Sequence, residues 1–273
     1  ALDGVERLNS GEGEQDTADE LIDRLARSVQ PEGTLLLVHD NRFGVHHTVR
    51  LEPGARERQD ASWYPVDEHD TDRPASAEQL AGRLSGAGLV VYAAYAAFPL
   101  PAAPTVLVGR GLLGEVASPL RPRLGTALSQ AFAAGFRGRT VLSDPRRLMN
   151  RALLAGAEGT VAPAWLVIAS GPEAAAPVTG HEMLIGDVRG TFAYEVASAG
   201  SEVRTTVLQP LAEPVVRGGL RRISEPTAPG ADVGYVLEER LLHLAAADDL
   251  RQLRIELAQY DNWLRGQAQD GLL

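Results

Sequence analysis

The sequence predicts an α/β region followed by a smaller α+β region, and three observations carry that expectation. Residues 34–38, TLLLV, form a short apolar run directly after a helical pattern and a Pro-Glu-Gly turn. Residues 89–98 and 164–170 repeat the arrangement, each an apolar run after helix-like stretches, which is the alternation of an α/β unit. Beyond about residue 180 the apolar runs give way to strict alternation and then to a long helical pattern.

The elements follow in order. Residues 16–29 place Ala18, Leu21, Ile22, Leu25 and Val29 on one helical face, with Asp16 or Thr17 as N-cap. TLLLV is apolar at every position after Thr34, which fits a buried parallel strand covered on both faces. Residues 40–75 hold three of the six histidines and no sustained period, and read as a long loop or cap over a site. Ser76 opens a capping box with Gln79, and Leu80 and Leu84 face inward until Gly86 and Gly88. Strands are expected over 89–98, more briefly over 105–109, and over 164–170. Helices are expected over 126–136 and from Asp144-Pro145, N-cap and first helical residue, to about 154. The small-residue stretch 171–180 reads as a linker, dividing a domain over 1–170 from a region over 181–273. There, residues 191–208 predict a β-hairpin, 213–223 a weaker strand pair, and 233–267 a helix with a break near Asp248. Leu250, Leu253, Leu257, Tyr260 and Leu264 step by three and four, a seam that packs on another helix.

Composition removes whole chemistries. The chain has 273 residues, 44% of them hydrophobic, enough for a sizeable core. It contains no Cys, so there is no thiolate nucleophile, disulfide or Cys-ligated metal. All 26 basic residues are Arg, which excludes Schiff-base chemistry and the phosphate-loop and kinase lysines. A net charge of -10 argues against nucleic acid. No apolar stretch is long enough for a membrane span and no signal segment opens the chain, so a cytoplasmic location is expected. GxSxG is absent, and HEMLI at His181 lacks the second His of a zincin.

In their order and spacing these pieces resemble part of a class I S-adenosylmethionine-dependent methyltransferase. PEGTLLLVHDNRFGV, residues 31–45, is similar to the segment in which a turn, a strand and a closing Asn follow a helix. Residues 76–99 and 162–170 are similar to the succeeding helix with the penultimate strand, and to the last strand. The closest look is to methyltransferase-like domains linked to glycosyltransferases of cell-surface glycans. Their EN-x-x-G loop and Y-x-x-FP turn correspond to Asp40, Asn41 and Gly44, and to Tyr95, Phe98 and Pro99.

The resemblance implies the carboxyl-terminal part of a Rossmann-like sheet and methyl transfer from S-adenosylmethionine to a small-molecule, sugar or natural-product acceptor. It also implies that the cofactor half lies outside this chain, because ALDGVERL would correspond to the end of the fourth strand. The Gly-rich turn and acidic ribose partner are therefore lacking. GRGLLG, residues 109–114, reads as a turn. The missing half implies self-association or a partner chain completing the sheet; a non-catalytic scaffold acting through a sheet edge or the last helix is the alternative.

His39, Asp40, Asn41, His46 and His47 follow the first strand, where open α/β sheets bind ligands. His39 or His46 is the candidate base for an acceptor proton, and Asp40, Asn41, His47, Trp63 and Tyr64 are candidate substrate-binding residues. His39 packing at the strand end, Asn41 bonding the turn and Trp63-Tyr64 anchoring the loop are the structural alternatives. Imidazole and carboxylate over His46, His47, Asp67, Glu68, His69 and Asp70 would suit several divalent ions. Adjacent histidines rarely point to one centre, however, and no helical HxxxH spacing supports them, so no metal is expected.

Overall fold

The computed structural model describes residues 18–49, 74–115, 117–177, 180–187, 192–199, 202–209, 216–217, 220–221 and 237–269. Its first elements are α1 (Ala18–Ser28), β1 (Thr34–Asp40), α2 (Val45–Val49), α3 (Ala77–Gly86), β2 (Val90–Phe98) and β3 (Val106–Gly109). Helices α4 (Arg121–Gly135) and α5 (Pro145–Leu154) lead to β4 (Ala164–Ser170) and β5 (Met183–Gly186). The hairpin β6 (Ala193–Ala199) and β7 (Glu202–Gln209), the short pair β8 (Val216–Arg217) and β9 (Leu220–Arg221), and helices α6 (Leu237–Ala246) and α7 (Leu250–Gln269) complete it.

Seven strands form one sheet in the order β1-β4-β2-β3-β5-β6-β7, and every neighbouring pair is antiparallel. The chain is therefore mixed α/β, and the parallel pairing expected of β1 and of a Rossmann-like sheet is not what its neighbours adopt. β1 and β2 run in the same direction, but β4 is inserted between them and opposes both. Among the described residues β1 is also an edge strand, and its second face is not fully covered: Leu36 is 64% exposed. An all-apolar run of this length fits an edge strand as well as a sandwiched parallel one, which is why the pattern misleads.

The register shows where the core sits. Leu37 opposes Val167, which opposes Ala94, and His39 opposes Trp165, which opposes Ala96. Side chains alternate along a strand, so these residues share one face. Leu37, Val167 and Ala169 pack there with Leu21, Ile22 and Ala26 of α1 and Leu80 and Leu84 of α3. Farther across the sheet, Ala96, Phe98, Val108 and Met183 pack with Leu124, Leu128 and Phe132 of α4.

Local signals explain the helix ends. Ser76 Oγ accepts from Gln79 N at 3.2 Å, and Gln79 Oε1 accepts from Ala75 N at 2.8 Å, so the capping box closes one residue earlier than its usual form. Asp144 caps α5 by accepting from Arg146 N at 2.9 Å, with Pro145 in the first turn. Helix α4 starts earlier than expected, at Arg121, because Pro122 is tolerated in a first turn.

Residues 171–177 do not end the sheet: Gly171 N donates to Gly33 O at 2.9 Å, and β5 then pairs with β3. The hairpin forms as expected, and the final helix breaks at Asp248, whose φ is +56°, with Asp249 capping α7. α6 and α7 are joined by an ion pair, Arg240 Nε to Glu256 Oε1 at 3.3 Å, yet Leu250, Leu257 and Tyr260 of the seam remain exposed. No described helix is long and apolar enough to cross a membrane.

Candidate functional site

The segment after β1 is pinned from both ends of its turn. Asn41 is buried; its Nδ2 donates to Thr160 O at 2.8 Å and Ala162 O at 2.7 Å, and its Oδ1 accepts from Phe43 N at 3.0 Å. Backbone bonds from Asn41 N to Pro163 O and from Val45 N to Val161 O, both 2.9 Å, hold the same two segments together. Gly44 is required by close approach: a Cβ there would lie 2.6 Å from His46 Nδ1 and 2.8 Å from Asn41 O.

This turn brings Asp40 against two imidazoles. His46 Nε2 lies 3.0 Å and His47 Nε2 3.1 Å from the same oxygen, Asp40 Oδ1, and the two rings are 3.9 Å apart at their centroids. Partial burial of Asp40 opposes its ionisation, but the hydrogen bonds and charges of His46 and His47 outweigh that cost and hold its carboxyl well below the usual range. Adjacent histidines do converge here, contrary to the expectation from sequence. The His46 side chain is only 5% exposed, whereas those of His47 and Asp40 are 29% and 23% exposed. His47 is thus the accessible imidazole of the cluster, with a carboxylate orienting it.

His39 is elsewhere. Strand alternation sends it to the core face, fully buried near Trp165, with ring centroids 6.0 Å apart. Its Nε2–H donates to Pro74 O at 3.2 Å, and burial pushes its pKa below the ordinary histidine value. His39 thus packs at the strand end against Trp165.

A cavity of about 390 Å³ opens at the carboxyl ends of β1 and β2. Ala94 and Ala96 leave space on the sheet, Trp165 forms part of the wall, and Phe43, 64% exposed, stands at the edge. The first turn of α3 contributes Ser76 and Glu78, and the loop after β3 contributes Arg110, Leu113 and Gly114. Arg110 Nη2 lies 3.5 Å from Glu78 Oε1, linking these two sides through exposed groups. The loop is anchored beneath by Glu158, fully buried, which accepts from Gly114 N at 2.7 Å and pairs with Arg121. Arg121 also donates to Leu153 O, so its guanidinium spans α5 and the turn after it.

Of the residues expected to form a site, Asp40, His46 and His47 come together, Asn41 holds the turn, and His39 lies in the core. Trp63, Tyr64, Asp67, Glu68, His69 and Asp70 lie outside the described residues. The cavity residues Phe43, Arg110, Leu113, Gly114, Thr160 and Trp165 escaped sequence reasoning. Their one signal was GRGLLG after a strand: it is a turn, as read, and it also lines the cavity.

The same loop tests whether the chain can hold S-adenosylmethionine unaided. A Cβ at Gly109 would meet His181 O at 2.4 Å, so this glycine serves strand packing and not the approach of a ligand. Among the described residues the cavity has one acidic residue, Glu78, which faces Arg110 at the rim and stands on a helix, not at the end of a neighbouring strand. These residues do not make a complete cradle for that cofactor. No family model, curated protein or solved structure matches this chain.

Proposed function

We propose that this chain binds a small molecule with a flat apolar body and a polar edge in the cavity at the carboxyl ends of β1 and β2. One observation carries the reading: a concave space of about 390 Å³ is floored by alanines, bordered by Trp165 and Phe43, and edged by Ser76, Glu78 and Arg110. A mainly small and aromatic lining with a few polar groups on one side is the usual form of a ligand site. The test is a ligand titration read by Trp165 fluorescence in a W63F/W263F chain. Saturable quenching by a heteroaromatic probe, lost in A96L, supports the reading; quenching that A96L leaves unchanged removes it.

Methyl transfer from S-adenosylmethionine is the narrower proposal that the sequence resemblance supplies. Its support is the placement of the three strands that carry the resemblance. The strand similar to the last one lies antiparallel between the other two, which run in the same direction as each other. Since the described glycines of the GRGLLG loop do not complete the cofactor cradle, the cofactor half would come from sequence or a partner outside this chain. Calorimetry with S-adenosylmethionine alone and with a longer chain separates these cases: no heat in either removes methyl transfer.

A scaffold role is the second reading, favoured by exposed apolar residues at two places. β1 is a sheet edge carrying exposed Leu36, and α7 presents Leu250, Leu257 and Tyr260. Sedimentation velocity of the intact chain and of L257D tests it: a single monomeric species for both contradicts association through α7.

A further inference from the structure

We propose that Asp40, His46 and His47 form a binding site for a divalent first-row transition ion of the Zn2+ class. Each of the three side chains offers one potential ligand atom, and these all lie within 4.8 Å of one another. The two nitrogens are 3.0 and 3.1 Å from the oxygen. Around a tetrahedral zinc with bonds of about 2.0–2.1 Å, neighbouring ligand atoms stand about 3.3 Å apart. The cluster therefore needs only a slight opening to receive an ion.

The backbone already bears the cost of this convergence. Two consecutive residues of a helix point about 100° apart, so adjacent histidines ordinarily face different ways. Here the missing side chain at Gly44 leaves room for the His46 ring to fold back against the turn, where a Cβ would lie 2.6 Å from Nδ1. Asn41 fixes that turn through its bonds to Thr160 and Ala162.

The donor set selects the ion. Two imidazoles and one carboxylate suit zinc, cobalt, nickel or iron, whereas magnesium and calcium favour sites made of oxygen. Three protein ligands leave at least one position for water or another small ligand. The partly exposed His47 and Asp40 provide the approach, with His46 behind them. The site is independent of the cavity ligand, because none of its three side chains lines that cavity.

Calorimetric titration of the whole chain with Zn2+, and visible spectroscopy with Co2+ as the probe, test the proposal. One high-affinity ion per chain is expected, with the d–d bands of low-coordinate Co2+ and no competition from Mg2+. D40N and H47A should each weaken Zn2+ binding at least about tenfold, while H181A, in the separate pair with Glu195, should leave it unchanged. Circular dichroism of the ion-free variants confirms folding; if D40N fails to fold, H47A and H47Q carry the test. Absence of Zn2+ binding, equal affinity in D40N and H47A, or loss of binding in H181A would each overturn the site.

Discussion

The turn at residues 41–44 separates two regions built in opposite ways. On one side the cavity is made by small side chains and aromatic walls with Glu78 and Arg110 at its rim, while Glu158, outside the lining, holds the Gly114 backbone and pairs with Arg121. On the other side three polar side chains, Asp40, His46 and His47, converge on one point. The comparison teaches that one buried residue, Asn41, can position two unlike sites, because it bonds both to the Phe43 end of the turn and to the segment carrying Thr160.

Four perturbations break or sharpen the contrast. The largest effect is expected from E158A, which leaves the Arg121 guanidinium buried without its partner at a cost of about 3–5 kcal/mol. Thermal and denaturant unfolding will show the loss. A variant kept folded at low temperature should lose the cavity ligand and keep Zn2+. N41A should act on both regions, since it removes two donors and an acceptor from a buried turn, at about 2–3 kcal/mol. Equal weakening of fluorescence quenching and Zn2+ binding is the expected signature.

Acid should strike the His39–Asp40 side first. His39 has a folded pKa below its ordinary 6.5 because burial dominates, with Arg42 and Arg83 adding to the effect and Pro74 and Asp40 opposing it. The unfolded chain then binds a proton that the folded chain refuses, so stability is full above about pH 6.5 and declines as pH falls below it. Asp40, also depressed from 3.8, adds a second loss below that value as its carboxylate is protonated. Denaturant midpoints measured from pH 8 to 3 should fall in these two stages, and H39Q should remove the first. The smallest effect is D144A, which removes the α5 N-cap at about 1 kcal/mol and should leave both sites unchanged in ligand and metal titrations.

Much of this arrangement could be read from the residues. Apolar runs located β1, β2 and β4, and Ser76 and Asp144 marked their helices because capping is a local property. Strand alternation also contained the answer for His39: it shares parity with Leu35 and Leu37, so it belongs to the core face, whereas Asp40 does not. The direction of the neighbours was not legible, because TLLLV satisfies a sandwiched parallel strand and an antiparallel edge strand equally. The cavity was harder still. Glu158 gains its meaning only from Arg121 and Gly114, which are 37 and 44 residues away, and no spacing rule connects them. The convergence of His46 and His47 depended on Gly44, a glycine whose packing role appears only when the turn is folded.

The most direct measurement of the central claim is fluorescence titration of the W63F/W263F chain, in which Trp165 alone reports. The probes are adenosine, S-adenosylmethionine and a set of small aromatic carboxylates. Saturable one-to-one quenching by at least one probe is expected, abolished by A96L and unaffected by H47A. No response from Trp165 to any of them, or a response that survives A96L, would contradict it.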